Sequence, residues 1–347
     1  YDANVQFFTA EIPNAEQKST PYLTFRDSRR DRQYLDFLEY TSDVVADRLV
    51  KLAAAIKVAS EWQSLVSVCY GYTFEFRHMF SGHLAMEKVL DSPCIDIISG
   101  PPSYSDRLPG GCGSLPSPSN SCAVHGKLWI SEDDTKTFLA NNASGEDDFN
   151  PHVESRHWTE QVHNRAISRA LAAQTGIAFM DIWGQGWLNS PEIWDGISEF
   201  SSKYAAQLQS PHVANPEVVV LLDEKSLIHL QRDEAFISEL VNGSRETFQR
   251  LGASVGFYLQ SDLKSERFPT EAKLYIFLNP YRLSPEERTA IREKLHSGKK
   301  TLVWMHAPGV CSPIGEPADF PTEAIGFTLK HQSWNSELGT RIVDARN

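Results

Sequence analysis

Apolar residues between positions 31 and 58 recur at helical spacing (Leu35, Leu38, Val44, Val45, Leu49, Leu52, Ile56), which predicts one long amphipathic helix. Directly after it, "SLVSVCYGYTF" is short, apolar and rich in β-formers, so a strand follows the helix. The alternation continues. "SGHLAMEKVLDS" predicts a helix, "CIDIISGPPSY" a strand opening into a Gly/Pro loop, "AVHGKLWISED" a strand, "WTEQVHNRAISRALAAQTG" a helix closed by Gly176, and "IAFMDIWGQGW" a strand. Strands that alternate with helices imply parallel β/α units sharing one sheet.

The stretch "PHVANP" at 211–216 carries two prolines and marks a boundary. A second series follows: "EVVVLLDEK" as strand, "ISELVNGSRETFQRLG" as helix ending at Gly252, then "SVGFYLQSDL" and "AKLYIFLNP" as strands. "SPEERTAIREKLHSG" predicts a helix with Ser284 as N-cap, Pro285 in its first turn and Gly298 past its end, and "KKTLVWMHAPG" a last strand. This predicts a small doubly wound α/β domain. No GxGxxG or GxxxxGK[ST] stands at a strand-to-helix turn, so a nucleotide pocket is not supported.

With 347 residues, 41% hydrophobic and 22% charged, the chain has globular composition and length for about two domains of roughly 150 residues. The expected extents are 1–211 and 212–347. A balance of 33 basic against 45 acidic residues gives a net charge of -12, which repels phosphate backbones and anionic lipid, so neither nucleic acid nor membrane is an expected partner. There is no apolar run long enough to span a bilayer and no signal-like N-terminus, so a soluble chain is expected, with cytoplasm or export left open. Tyr1 opens a loop-like stretch, which suggests a processed or truncated piece of something longer. The five cysteines are odd in number and lack CxxC spacing, which supports neither a zinc site nor a redox dithiol. Cys112 and Cys122 could pair within one loop, or simply be small buried residues. No metal or cofactor is expected.

Each strand of the first series ends in aromatic, acidic or glycine-rich sequence, at 70–75, 100–106, 132–134 and 183–187, and loops after the strands are where parallel β/α folds build their sites. Glu132 is the sharpest candidate. A carboxylate at the mouth of a parallel sheet, held by rigid backbone beside aromatic surface, can attack an anomeric carbon. The alternative is a solvated acidic loop in which Asp134 caps a helix beginning near Thr135. Tyr70, Tyr72, Tyr104, Trp129, Trp183 and Trp187 cluster at the same edge and could stack on sugar faces, or fill the core. Glu75 or Asp106 could supply a second carboxylate, though for Glu75 a salt bridge with Arg77 or His78 is the favoured role; Glu11 is a weaker candidate. His125 falls at the opposite strand end and reads as structural. His152, His157 and His163 lack metal-binding spacing, and Cys311 lacks an evident partner. Asn142 and Asn242 head sequons that matter only in a eukaryotic secretory host.

The stretches "YGYTFEF", "SGHLAMEKVLDSPCIDIISGPPSYSDR", "GKLWISEDDT" and "FMDIWGQGWLNSPEI", followed by "VVVLLDEKSLIHLQ", "LYIFLNPYRLSPEERTAIREKL" and "KTLVWMHAPG", resemble the bacterial family 42 type β-galactosidases and their close relatives. The resemblance spans about residues 21 to 330. It implies strands 5–8 of a (β/α)8 TIM barrel, followed by a flavodoxin-like trimerisation domain related in fold to class I glutamine amidotransferases. By order, Glu132 matches the family's nucleophile, Tyr104 the tyrosine near it, and Trp183 a tryptophan of the sugar pocket; Tyr72 and Glu75 are expected beside them as substrate-binding residues. The family's acid/base, in an Asn-Glu pair, has no counterpart here and is expected upstream of Tyr1. The implied activity is retaining hydrolysis of terminal β-D-galactosides through a glycosyl-enzyme, by a homotrimer acting on oligosaccharides or glycosides. A β-mannosidase or β-glucosidase of the same architecture, a non-catalytic carbohydrate-binding or assembly protein, and an amidotransferase-like hydrolase using Cys311 are the alternatives.

Overall fold

The structure, a computed structural model, describes residues 12–14, 25–75, 80–140, 150–209, 215–230, 238–312 and 321–328. Helix α1 (Arg32–Ala59) follows a turn in which Asp27 Oδ1 accepts from the backbone of Arg29 (3.0 Å) and Arg30 (2.8 Å). Its buried stripe serves two cores. Tyr34, Leu35 and Leu38 pack with Val218, Val220 and Leu222 of the second series, while Ala46 and Ala53 pack with Ile98 and Trp129 of the first.

Four strands, β1 (Ser67–Cys69), β2 (Ile97–Gly100), β3 (Leu128–Asp133) and β4 (Gly176–Phe179), form a parallel sheet in chain order. Helices α2 (Met86–Leu90), α3 (Asn120–Val124) and α4 (Arg156–Ala173) connect them, and α5 (Pro191–Leu208) follows. The strand expected from position 123 begins only at Leu128, because 120–124 winds as α3. Helix α4 starts at Ser155, whose hydroxyl accepts from the Trp158 amide. It is closed by Gln174 in the left-handed region (φ 54°), not by Gly176. Gly176 opens β4 instead, where a Cβ would sit 2.9 Å from Ile130 Cγ1; the glycine lets the two backbones approach.

The second sheet holds β5 (Val218–Leu222), β6 (Val255–Leu259), β7 (Leu274–Phe277) and β8 (Thr301–Trp304), all parallel, in the order β6-β5-β7-β8. The winding direction therefore reverses beside β5. Strand β5 is buried at every position, as a run of Val and Leu in a central parallel strand requires. Its helices include α6 (Glu224–Leu227), a π-turn at Ser238–Gly243 running into α7 (Ser244–Gln249), and α8 (Pro285–Ala290). Ser284 and Glu287 form the capping box of α8, and Gly252 and Gly298 adopt positive φ.

The two sheets are joined by specific bonds. The outward amides of edge strand β6, at Phe257 and Leu259, donate to Asn120 Oδ1 (2.9 Å) and Ser121 Oγ (2.8 Å) of α3, so the first unit seals the edge of the second. The Glu224 carboxylate accepts from the amides of Met86 (2.7 Å) and Glu87 (3.1 Å), capping α2 across the interface. Burial pushes Glu224 up to about 8, and burial with the Glu287 charge pushes Asp223 up to about 7. His125 bridges Asp91 (2.8 Å) and Asp262 (2.9 Å). Burial alone would lower its pKa, but Asp262 and then Asp91 raise it above the ordinary histidine range. The boundary expected at 211–216 falls mostly outside the described residues. Among the described residues no helix is long and apolar enough to cross a membrane.

Candidate functional site

Alternation along the first sheet divides its faces sharply. Ile98 and Trp129 point to the helices and are almost fully buried, whereas Leu128, on the other face, is 41% exposed. Strand register puts Cys69, Ser99, Ile130 and Glu132 on that second face, with Ala178 opposite Glu132. Parallel sheets are ordinarily covered on both faces. Here one face is partly exposed, at Cys69, Leu128 and Ala178, while Ser99 on it is buried and Glu132 stands half-buried at its carboxyl end.

Neighbouring strands orient the Glu132 carboxylate. Ser99 Oγ donates to Oε1 at 3.0 Å, and the Cys69 thiol lies 3.8 Å from both carboxylate oxygens. The Tyr72 hydroxyl donates to the Ser99 carbonyl at 2.9 Å. Its ring lies where a Cβ on Gly100 would come within 2.6 Å, so the glycine ending β2 makes room for the phenol. Burial, reinforced by Cys69 and Glu132, raises the Tyr72 pKa, which keeps the phenol a neutral donor. On its other side the ring stacks on His83 at 5.1 Å.

Asp134 does not cap a helix, because residues 135–140 are loop and turn. It is buried in an ion pair with Arg107 (2.8 Å), itself fully buried, and accepts from the Tyr104 hydroxyl (2.8 Å). The Arg107 guanidinium also donates to Asn150 Oδ1 (2.8 Å) and to the carbonyls of Pro102 and Ser103, and covers the Tyr104 ring at 3.9 Å. Burial and the Asp134 charge raise the Tyr104 pKa. The Asp134 charge, two residues beyond Glu132, is therefore paired within the protein.

The six aromatics separate into two groups. Tyr70, Trp129 and Trp187 are core residues: Trp129 faces the helices by strand parity, and the Tyr70 hydroxyl donates to the Gly82 carbonyl at 2.7 Å. Tyr72 and Tyr104 are half-buried at the carboxyl edge, and Trp183 is 56% exposed beyond β4. Trp183 is displayed by a tight loop in which Asp181 Oδ2 accepts from the amides of Gly186 (2.5 Å) and Trp187 (3.0 Å).

Glu75 pairs with Arg245 of α7 (3.4 Å) and accepts from the Tyr104 amide (3.3 Å). Arg77, His78, Glu11 and Asn142 lie outside the described residues. Asp106 accepts from the Ser114 hydroxyl (2.8 Å) and the Cys112 amide (3.0 Å). Cys112 and Cys122 are both free thiols, not a disulfide. Cys311 is buried and its pKa pushed up to about 12, the opposite of an activated nucleophile. Asn242 is buried with its amide on the Phe74 carbonyl, which closes its sequon to glycosylation. Among the described residues no group of three His, Cys, Asp or Glu could hold a metal ion.

No protein-family model and no curated protein matches this chain. The site's chemistry therefore rests on its geometry. It offers a carboxylate held by the Ser99 hydroxyl with the Cys69 thiol 3.8 Å away, a neutral phenol at its flank, and further aromatic surface along the same edge. Sequence reasoning missed Ser99 and Cys69, although register would place them next to Glu132 once the strands were paired. It also missed Arg107 and Arg245, for which neither spacing nor motif gave a signal.

Proposed function

We propose that this chain forms strands 5–8 of a (β/α)8 glycosidase barrel followed by a flavodoxin-like domain, and that the assembled enzyme is a retaining exo-β-galactosidase in which Glu132 is the nucleophile. The observation that carries the reading is Glu132 itself. It emerges at the carboxyl end of a parallel strand, on a face open to a sugar, with Ser99 and Cys69 holding its carboxylate. Attack on the anomeric carbon forms a glycosyl ester, which water then hydrolyses. Tyr72, Tyr104 and Trp183 supply stacking and hydroxyl contacts, and Glu75 shapes their edge.

The open face supports the half-barrel reading, because a closed barrel would cover it with four more strands. So does α1, whose outward side exposes Tyr40 and Val44 and, beyond Arg48, Leu52 and Ile56, an apolar stripe suited to a neighbouring barrel helix. The order β6-β5-β7-β8 fits the start of a flavodoxin-like sheet. By the family resemblance the proton donor belongs to an Asn-Glu pair in the complementary half of the barrel, while Glu75, Asp106 and Asp134 are each held by protein donors. That same occupancy favours, as a second reading, a carbohydrate-binding protein without catalysis.

The test is a panel of nitrophenyl glycosides offered to the full-length polypeptide and to its Glu132→Gln variant. The reading expects β-galactoside hydrolysis that the variant loses; undiminished turnover in the variant removes the assignment.

A further inference from the structure

The second unit reaches into the loops that carry the candidate site. Helix α7 and the π-turn before it project Asn242, Arg245, Glu246 and Gln249 onto the loops after β1 and β2. Arg245 is the centre of this contact, and its side chain is only 2% exposed. Its Nη1 donates to the carbonyls of Phe74 and Leu115 (both 3.1 Å) and to Glu75 Oε2 (3.4 Å); its Nη2 donates to Ser103 Oγ (2.8 Å). Asn242 adds a second donor to the Phe74 carbonyl at 2.7 Å, and Ser105 Oγ donates to Glu246 Oε1 at 2.9 Å.

A guanidinium taken this far out of water is retained only where several acceptors meet its planar fork. Four do here, and they belong to three separate segments of the first unit. The path to the site is short. Glu75, gripped through Oε2, holds the Tyr104 amide through Oε1, and the Tyr104 hydroxyl ends on Asp134, two residues beyond Glu132 in the chain.

We infer that Arg245 is a positioning residue through which the second unit sets the carboxyl-edge loops 72–75 and 101–106, and with them the aromatic wall beside Glu132. The inference rests on the galactosidase reading for its sugar, but not for its mechanics. The same loop has a natural control. Arg165 of α4 also clamps it, donating to the carbonyls of Arg107 (2.5 Å), Leu108 (2.9 Å) and Gly111 (2.7 Å), from within the first unit and with no contact to 72–75.

The experiment compares Arg245→Met with Arg165→Met in the full-length polypeptide, reading thermal unfolding, hydrogen exchange of peptides covering 72–75 and 101–106, and affinity for isopropyl β-D-thiogalactoside. Arg245→Met should speed exchange in both peptides and weaken the thiogalactoside about tenfold or more, as expected when positioning groups shift by about an ångström. Arg165→Met, at a comparable loss of melting temperature, should speed exchange only around 101–106, leave 72–75 at its wild-type rate and weaken the thiogalactoside less. Exchange and affinity that move no further in Arg245→Met than in Arg165→Met would reduce Arg245 to a structural anchor. A wild-type protein that binds no thiogalactoside would sink the galactosidase reading, while the exchange comparison would still decide the role of Arg245.

Discussion

The two sheets are built from the same parallel β/α grammar and differ in what covers them. In the second, β5 is buried at every position, and the edge at β6 is sealed by Asn120 and Ser121. In the first, Trp129 is buried while its neighbour Leu128 is 41% exposed, and the acid, thiol and hydroxyl of the candidate site all sit on the exposed side. The contrast teaches that both sheets keep a buried core on their helix side, while the first leaves its other face partly exposed where the chemistry stands.

The largest effect expected from breaking that contrast is at Glu132. In the full-length polypeptide, Glu132→Gln should lower turnover of a nitrophenyl β-galactoside by about 10⁴-fold or more, the scale of losing a covalent nucleophile, with little change in melting temperature. Next comes the buried pair beneath the site. Arg107→Met strands the Asp134 carboxylate in the interior and should cost about 3–5 kcal/mol in denaturant unfolding, whereas changing both partners to apolar residues should recover much of it.

A sharper contrast comes from the same truncation on each sheet. Leu222→Ala, in the covered strand, should cost about 2–5 kcal/mol, and Leu128→Ala, on the open face, about 0.5 kcal/mol or less in this chain. Equal losses at the two positions would mean that the face is covered after all.

The most gradual effect is a slope with pH. Glu224 and Asp223 hold protons more tightly folded than unfolded, with folded values of about 8 and about 7. Their contribution is thus fully present below the ordinary carboxylate range and is lost as pH rises through 7 to 8. Each group adds at most about 1.4 kcal/mol per pH unit to that decline. His125, raised by its two aspartates, loses its contribution in the same direction. Glu224→Gln should flatten the profile measured by urea unfolding between pH 5 and 8.

Much of the architecture was legible because it is periodic. The helix at Arg32–Ala59, the strands of both sheets and the capping box at Ser284 follow from spacing and from local caps. Glu132 could be read at the end of its strand because an apolar run stops there. Asp134 misled, since an acid before "TKTFLA" looks like a cap, and only tertiary contact reveals the buried Arg107 that claims it. Gly176 misled in the same way: a glycine after a helix reads as a stop, but Gln174 had already turned the chain and the glycine serves close packing against Ile130. The aromatic cluster divided because side-chain parity, not proximity in sequence, decides which rings reach the edge. Arg245 was invisible, since its partners lie 130 to 171 residues away.

The central claim is most directly tested by trapping. Full-length polypeptide treated with an activated 2-deoxy-2-fluoro-β-D-galactoside and digested for mass spectrometry should carry the sugar on Glu132, and on no other carboxylate. A trapped sugar on a different residue, or steady hydrolysis of β-galactosides with Glu132 unlabelled, would contradict the account.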